Sequence, residues 1–191
     1  MFQQDHGTCH HRQAVSACLS SCLSSLLGPD GSAVSVTASV NLLWGCKYMS
    51  PHTGVVMNNQ MNDFASPGVT SAYGVPPFPN NLIVPGLRPL SSMSGTIVVD
   101  PRGRVVAVAG GSGGTKIITA TAQVLLRALY LGQSVKEAVD ARRLHHQLAP
   151  MVLGHEQGVT YWLLEGLRAT GHNVTRYRGG GSAVQVRLFP R

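Results

Sequence analysis

The sequence has few charged or aromatic residues and no long apolar run, and each shortage excludes a class of protein. Charged residues make up 12% and aromatic residues 6% of the 191 residues, against 43% hydrophobic residues. This composition excludes collagen, a coiled coil and a wholly disordered chain. No stretch reaches the ~18 apolar residues of a membrane helix, and the first ten residues lack the apolar core of a signal peptide. We predict one globular domain.

Cysteine is also scarce, and the four residues do not form a C-x-x-C pair: Cys9, Cys18, Cys22 and Cys46. A chain of this length does not need a disulfide framework to fold. Metal-ligating side chains cluster near the N-terminus at His6, Cys9, His10 and His11. Zinc sites usually combine two spaced ligand pairs, and the second pair is missing here. We therefore predict no metal site and interpret this segment as a flexible tail.

Positive charge exceeds negative charge but is not concentrated in one place. Lys and Arg total 15 against 8 Asp and Glu, which gives a net charge of +7. The arginines occur in scattered pairs: Arg102 and Arg104, Arg142 and Arg143, Arg176 and Arg178. A nucleic-acid-binding domain concentrates its charge on one face, and few Phe or Tyr side chains are present to stack on bases. We expect no nucleic-acid partner.

Several segments have the periodicity of strands. Residues 1–27 show no sustained pattern, whereas Ser32–Asn41 alternates small polar residues with Ala or Val, as strands do. Gly54–Met57 is a second, shorter candidate. Thr96–Asp100 and Arg104–Gly110 flank a turn and predict an apolar, central hairpin. Asn58–Pro89, which lies between the second candidate and this hairpin, contains six prolines, which excludes helices and central strands there.

Three helices are predicted in the second half of the chain. Lys116–Leu131 is apolar around most of its circumference and predicts a buried helix ended by Gly132. A capping box at Ser134 opens a second helix to about Leu144, and a third covers about residues 158–170. Strands followed by helices and a last strand predict an α+β fold rather than alternating βαβ units.

A glycine-rich turn joins the predicted hairpin to the first helix, with the sequence Gly110-Gly111-Ser112-Gly113-Gly114-Thr115. Convergent backbone N–H groups at a helix N-terminus favour an anion or a developing oxyanion. The spacing excludes a P-loop, because Thr precedes Lys116 and the spacer is wrong. The alternative is that these glycines only allow the strand and the helix to pack closely.

Two other segments carry polar groups suited to a small zwitterion. Asn58–Phe64 concentrates amides around Asp63, and a carboxylate with nearby amide oxygens supplies the negative charge and the acceptors that an ammonium group needs. Turn-capping Asx residues are an equally good explanation of that pattern. Ser91 and Ser92 follow Pro89, and their hydroxyl groups and amides can hold a carboxylate. Asn173-Val174-Thr175 is a glycosylation sequon, which matters only in a secretory compartment.

Six ordered segments resemble the light, catalytic subunit of γ-glutamyltransferases: GSAVSVTASVN, NNQMNDF, PPFPNN, RPLSSM, GGSGGTKIITATA and RLHHQL. The resemblance covers residues 28–186, leaving 1–27 as an atypical segment and 187–191 as a divergent tail. It implies the light-subunit half of an N-terminal-nucleophile hydrolase with a layered αββα core. Such enzymes cleave the γ-glutamyl bond of glutathione and transfer the glutamyl group to water, amino acids or peptides, without a cofactor.

The resemblance also assigns roles to individual residues. Gln60 and Asp63 match positions that hold the glutamyl ammonium, and Ser91 and Ser92 match the pair that holds its carboxylate. Asn41 matches an amide that fixes the substrate. The backbone donors of an oxyanion hole match Gly113 and Gly114. Ser39 stands where the family usually has a Thr that supports the nucleophile.

The segment around the nucleophile departs from the family pattern. Counting back from Ser39 places the nucleophile at Ser21 instead of Thr, and Leu23 at the family's His. Three hypotheses follow: a hydrolase or transferase that works with a separately encoded large subunit, an inactive light-chain-like protein that binds γ-glutamyl compounds, and an interaction module for acidic partners. The resemblance further implies the outer face of the plasma membrane, with the anchor on the large subunit.

Overall fold

A computed structural model describes residues 21–177 and 181–189. Those residues form eight strands and three α-helices. The strands are β1 (Ser21–Leu27), β2 (Ala33–Ser39), β3 (Thr96–Val99), β4 (Val105–Ser112), β5 (Leu144–His145), β6 (Leu153–His155), β7 (Val174–Arg176) and β8 (Ala183–Leu188). The helices are α1 (Lys116–Leu129), α2 (Val135–Asp140) and α3 (Tyr161–Ala169). The α+β expectation is confirmed.

Three small sheets organise these strands. Strands β1 and β2 form an antiparallel hairpin in which Ser21 pairs with Ser39 and Leu27 pairs with Ala33. Strand β4 is central in a second sheet, antiparallel to β3 on one side and to β8 on the other. The third sheet has the order β5-β6-β7, with β5 and β6 antiparallel and β6 and β7 parallel.

The core lies around β4, which packs between two layers. The β1–β2 hairpin contacts one face of the β3-β4-β8 sheet, and α1 contacts the other. Ala107, Val108 and Ala109 are almost fully buried as a result, which fits the continuous apolar run that predicted a central strand. Helix α2 packs beside α1 and β8, so the described residues form a ββα arrangement around this sheet.

Helix α1 is amphipathic rather than buried all round, so the prediction of a buried helix was wrong. Ile117, Ala120 and Val124 face the sheet and are buried, but Ile118 and Leu126 are each more than half exposed. The helix packs on β4 and β8 along a single face, and apolar residues elsewhere on its circumference stay uncovered. It ends at Leu129, two residues before the predicted end.

The capping box predicted for the second helix is present. Ser134 Oγ accepts a hydrogen bond from the backbone N–H of Glu137, and the Glu137 carboxylate accepts one from the backbone N–H of Ser134. Helix α2 nevertheless ends at Asp140, because the chain turns there to begin β5, and the predicted end near Leu144 was wrong. Helix α3 begins after Thr160 and lies inside the predicted range.

Other boundaries also differ from the expectation. Strand β1 lies inside the segment 1–27 that showed no pattern, because serines alternate irregularly with leucines and the strand is recognised only through its pairing with β2. Strand β8 runs to Leu188, two residues into the predicted tail. Gly54–Met57 makes only a single bridge, between Val56 and Met49. Residues 6–11, with their candidate metal ligands, lie outside the described part.

The proline-rich segment is irregular, as predicted, and contains two short 3₁₀ turns at Gln60–Asp63 and Pro79–Asn81. Within the described ranges, no helix has the length and apolar character needed to cross a bilayer.

Candidate functional site

Three side chains predicted to bind one ligand meet in a hydrogen-bonded triangle. Gln60 Nε2 donates to Asp63 Oδ2 at 2.6 Å and contacts Ser91 Oγ at 2.7 Å. The Ser91 hydroxyl donates to the same carboxylate oxygen at 2.6 Å. All three residues are half-buried. The structure therefore brings the proposed ammonium-binding pair and the first serine of the proposed carboxylate-binding pair together.

Local turns bring these side chains into range. The 3₁₀ turn Gln60–Asp63 places the first and last of its residues on one side, and the Asn58 side chain accepts a hydrogen bond from the Gln60 backbone N–H. Ser91 and the half-buried Ser92 lie just before β3, on a stretch that returns from the proline-rich segment. The segment that includes the 3₁₀ turn therefore contains both an Asx-capped turn and two residues of the triangle, so the two interpretations of its sequence are compatible.

Asn41 and Ser39 connect the end of β2 to this triangle. The Asn41 backbone N–H donates to Ser39 Oγ at 2.9 Å, and Asn41 Nδ2 donates to the backbone oxygen of Asn59 at 3.0 Å. Asn41 has a φ of 71°, a conformation that Asn tolerates better than most residues. Because Asn59 precedes Gln60, the link ties the β1–β2 hairpin to the triangle.

Gly113 and Gly114 lie between β4 and α1, where the sequence predicted anion-binding donors. Their φ values are 137° and 62°, which lie in the region that favours glycine. A Cβ atom on Gly114 would lie 2.4 Å from the ring of Tyr73, and one on Gly113 would lie 2.9 Å from Ser182 Cα. Both positions therefore require glycine, and close packing is part of the reason.

Tyr73 joins the glycine turn to the triangle. Burial raises the pKa of Tyr73, and the Asp63 carboxylate raises it further. The ring lies against Gly114, so the same side chain neighbours both proposed halves of the site. Its backbone oxygen accepts a hydrogen bond from Gln147 at 2.8 Å. Gln147 belongs to the RLHHQL motif, to which the sequence alone gave no role.

Arg143 of the same motif supports the other side of the glycine turn. Its guanidinium is buried and donates to Ser182 Oγ at 2.9 Å and to the Val139 backbone oxygen at 2.7 Å. Ser182 is the residue packed against Gly113. Glu156 accepts a hydrogen bond from the backbone N–H of Arg143 and lies near its guanidinium. The sequence analysis counted Arg143 only among the scattered positive charges, whereas the structure buries its side chain.

Two contacts fix how the β1–β2 hairpin lies on the central sheet. The Ser35 hydroxyl donates to the backbone oxygen of Ala109 at 3.2 Å. The Leu23 side chain lies over Gly110, where an added Cβ would be 2.5 Å from Leu23 Cδ1. Leu23 is buried by this contact. The position at which the family resemblance implies a His therefore serves the packing of two layers.

The direction of these contacts indicates where Ser21 lies. Ser35 pairs with Ser25, so moving along β1 from Ser25 to Leu23 corresponds to moving along β4 from Ala109 to Gly110. We infer that the Ser21 end of the hairpin points toward the glycine turn that follows β4. Ser21 pairs with Ser39 at this end.

Asn81 is a residue of the site that the sequence analysis missed. Its side chain donates to the Asp63 backbone oxygen at 2.7 Å and accepts from the Leu90 backbone N–H at 2.9 Å. The available signal was the PPFPNN segment, in which an amide follows a proline-fixed turn midway between two candidate binding segments. Among the residues that the structure describes, no cluster of His, Cys, Asp and Glu could hold a metal ion.

The family model for gamma-glutamyltranspeptidase matches residues 12–188. Among curated proteins, scoloptoxin SSD14 of Scolopendra dehaani is 41% identical over 94% of this chain and 29% of its own length. Glutathione hydrolase proenzyme 1 of Schizosaccharomyces pombe is 40% identical over 91% of this chain and 25% of its own length. The chain thus spans less than a third of either relative.

Solved structures give a matching result. A gamma-glutamyltranspeptidase from Pseudomonas nitroreducens, complexed with L-DON, superimposes with a TM-score of 0.80. It is 34% identical, and the superposition covers 88% of this chain and 89% of that one.

Proposed function

The chain belongs to the gamma-glutamyltranspeptidase family, and we propose that it holds the γ-glutamyl group of compounds such as glutathione in the site around Asp63. The observation that carries this proposal is the triangle of Gln60, Asp63 and Ser91. We further propose that this site serves γ-glutamyl hydrolysis or transfer, as the light-subunit part of such an enzyme.

The ammonium group of the ligand requires a negative charge and free acceptors. Two of the three hydrogen bonds in the triangle fall on Asp63 Oδ2, which leaves Oδ1 as the carboxylate oxygen for an ammonium donor. Gln60 Oε1 is buried and has no hydrogen-bond partner within residues 21–177 and 181–189. A buried acceptor without a donor is costly. A ligand ammonium would satisfy Gln60 Oε1 and pair with Asp63 together.

The α-carboxylate would bind on the serine side of the triangle. Ser91 and Ser92 offer two hydroxyl donors next to each other, and hydroxyl rotors adapt to the acceptor present. On binding, the Ser91 hydroxyl would turn from Asp63 to the ligand carboxylate. The short separation of Asp63 from Ser91 matches the one-carbon separation between the two charged groups of an α-amino acid.

The reacting carbonyl would lie near the glycine turn. Backbone N–H groups of Gly113 and Gly114 would donate to the oxyanion that forms when the γ-carbonyl is attacked, a contribution of roughly 3–4 kcal/mol per donor in other enzymes. Their position at the N-terminus of α1 adds a favourable helix dipole. Tyr73, which neighbours both Gly114 and Asp63, joins this end of the site to the glutamyl-binding end.

Catalysis in this scheme uses Ser21 as the N-terminal residue of a processed chain. The freed α-amine takes the hydroxyl proton while Ser21 Oγ attacks the γ-carbonyl carbon. The tetrahedral intermediate then collapses, and the amine product leaves with the proton. Water or an acceptor amine attacks the resulting ester and regenerates Ser21. Ser39, paired with Ser21 in the β1–β2 hairpin, would support the nucleophile.

The second candidate function is binding of γ-glutamyl compounds without turnover. It is favoured by Leu23, which packs on Gly110 where the resemblance implies a His and which offers no polar group to the chemistry. Under this candidate the triangle and the glycine turn still hold the ligand, and only the nucleophile is missing.

We also propose that a large-subunit-type partner covers the outer face of the β1–β2 hairpin. Leu26, Val34 and Val36 are about half exposed on that hairpin. Exposed apolar groups in a contiguous patch usually mark an interaction site. A further layer on this face would complete the αββα arrangement that the family resemblance implies.

The deciding experiment measures release of a chromogenic amine from a γ-glutamyl anilide by the purified chain. Ser21→Ala and Asp63→Ala are assayed in parallel, together with the binding of L-glutamate by calorimetry. Turnover that disappears in Ser21→Ala supports the enzyme. Glutamate binding without turnover in the unmodified chain supports the second candidate. Binding that Asp63→Ala leaves unchanged would overturn the assignment of the site.

A further inference from the structure

Asn81 links the two segments that form the candidate site. Asp63 and Ser91 lie on separate stretches of irregular chain, and neither stretch belongs to a sheet. The Asn81 amide reaches both: Nδ2 donates to the backbone oxygen of Asp63, 18 residues earlier, and Oδ1 accepts from the backbone N–H of Leu90, 9 residues later. Leu90 immediately precedes Ser91.

The backbone of Asn81 strengthens the same link. Its carbonyl oxygen accepts a hydrogen bond from the Ala65 N–H at 2.8 Å, and its own N–H donates to the backbone oxygen of Phe78 at 3.0 Å. Leu82, the next residue, forms a parallel bridge with Ala65. Asn81 is half-buried, so water competes only in part for these groups. The side chain is thus fixed at the point where it touches both segments.

We propose that Asn81 is a positioning residue that sets the distance and orientation between the ammonium-binding Asp63 and the carboxylate-binding Ser91. The inference rests on the proposed function of that site. A ligand with two charged groups on one carbon is recognised as L rather than D only when the protein groups that hold them are fixed relative to each other. The Asn81 side chain bonds to the backbones of both segments.

The role requires an amide. Aspartate at position 81 would keep an acceptor for the Leu90 N–H but would place a carboxylate oxygen against the Asp63 carbonyl, where the Nδ2 donor stood. Alanine would remove both bonds. Asn80, the exposed neighbour in the same 3₁₀ turn, provides a matched control.

The test measures dissociation constants of the full chain for L-glutamate and for D-glutamate by calorimetry. It compares the unmodified protein with Asn81→Ala, Asn81→Asp and Asn80→Ala, with folding of each checked by circular dichroism. We expect both Asn81 variants to bind L-glutamate about tenfold more weakly, because each loses at least the hydrogen bond to the Asp63 carbonyl oxygen. The dissociation constant for D-glutamate should change by less than about twofold. Asn80→Ala should match the unmodified chain.

The possible results distinguish failure of the positioning role from failure of the proposed function. Folded Asn81 variants that keep the unmodified ratio between L- and D-glutamate would overturn the positioning role and leave the proposed site standing. Equal weakening for both enantiomers is one form of that result, because a loosened structure lowers affinity without changing selectivity. If the unmodified chain does not bind L-glutamate, the proposed function fails and this inference fails with it. If Asn81→Ala does not fold, the isosteric Asn81→Asp variant decides.

Discussion

The Ser91 hydroxyl donates a 2.6 Å hydrogen bond to Oδ2 of Asp63 across 28 residues of sequence. Gln60 bonds to the same oxygen, so the carboxylate is held from two sides without any ligand. A group fixed in this way loses little conformational entropy on binding. The site is therefore assembled by the fold itself, and its parts can be tested one at a time.

Removing the charge at position 63 should abolish recognition of the α-ammonium group. We expect Asp63→Ala to eliminate detectable L-glutamate binding and Asp63→Asn to weaken it by about two orders of magnitude, because a charge-assisted bond contributes roughly 1.5–3 kcal/mol. Calorimetry with glutarate, which lacks the α-ammonium, supplies the control. Glutarate should bind the unmodified chain weakly and Asp63→Asn no worse. A variant that lost both ligands equally would speak against a specific ammonium site.

Alanine at position 114 should destabilise the protein by more than its backbone conformation explains. Gly114 and Gly132 have nearly equal φ values of 62° and 67°, but only Gly114 has an atom, from the Tyr73 ring, within 4 Å of an added Cβ. Gly132→Ala should cost about 1–2 kcal/mol of unfolding free energy in urea, and Gly114→Ala clearly more. In a Tyr73→Ala background, the cost of Gly114→Ala should fall to that of Gly132→Ala. An unchanged cost would refute the contact with the ring.

The contact between Leu23 and Gly110 should appear as non-additive stability. Leu23→Ala removes a buried side chain and should cost about 2–5 kcal/mol, and Gly110→Ala should cost about 1–3 kcal/mol through overpacking. The double variant should cost less than the sum, because the shortened side chain leaves room for the new Cβ. Gly166→Ala, in α3 with open space around it, should be neutral or stabilising. Simple additivity in urea unfolding would contradict the packing of these two layers.

The capping box of α2 should make a pH-dependent contribution to stability. Hydrogen bonds from the backbone and the hydroxyl of Ser134 hold the pKa of Glu137 below its ordinary value of 4.5. A lowered pKa means that the contribution is complete above pH 4.5 and is lost as the pH falls through the folded-state value. Glu137→Gln should therefore melt at a lower temperature than the unmodified chain near pH 6, and this difference should shrink toward pH 3. A constant difference would show that the charge plays no part.

The sequence predicted the elements with strong periodicity, and it singled out three residues that contact one another in the structure. Strand β4 and helices α1 and α3 follow from their apolar patterns. The layered N-terminal-nucleophile hydrolase fold followed from the six motifs, and its likeness to a solved gamma-glutamyltranspeptidase confirms it. Gln60, Asp63 and Ser91 follow from the motifs, and the structure shows their mutual contact. Their roles toward a ligand, like those of Asn41 and the two glycines, remain predictions.

Features that depend on contacts distant in sequence could not be predicted in this way. Strand β1 has no clear alternation and is defined by its partner β2. The exposed side of α1 reflects which face the sheet covers, which its composition does not show. Arg143 looked like one of many surface charges, yet its guanidinium is buried against the segment that supports Gly113. Asn81 belonged to a recognised motif, but its two partners are 18 and 9 residues away.

The absence of a side chain at position 110 also governs the alignment of the hairpin. Side chains alternate between the two faces of a strand, so a shift of β1 by one residue would bring Ser24 or Cys22 over Gly110 and exchange every inward and outward position. The Leu23 side chain fills the space above Gly110. The contact between Leu23 and Gly110 thus favours the register in which Ser21, two residues earlier in the strand, pairs with Ser39. Substitutions of Gly110 should therefore disturb the backbone pairing at the start of β1, although they change no atom of that strand.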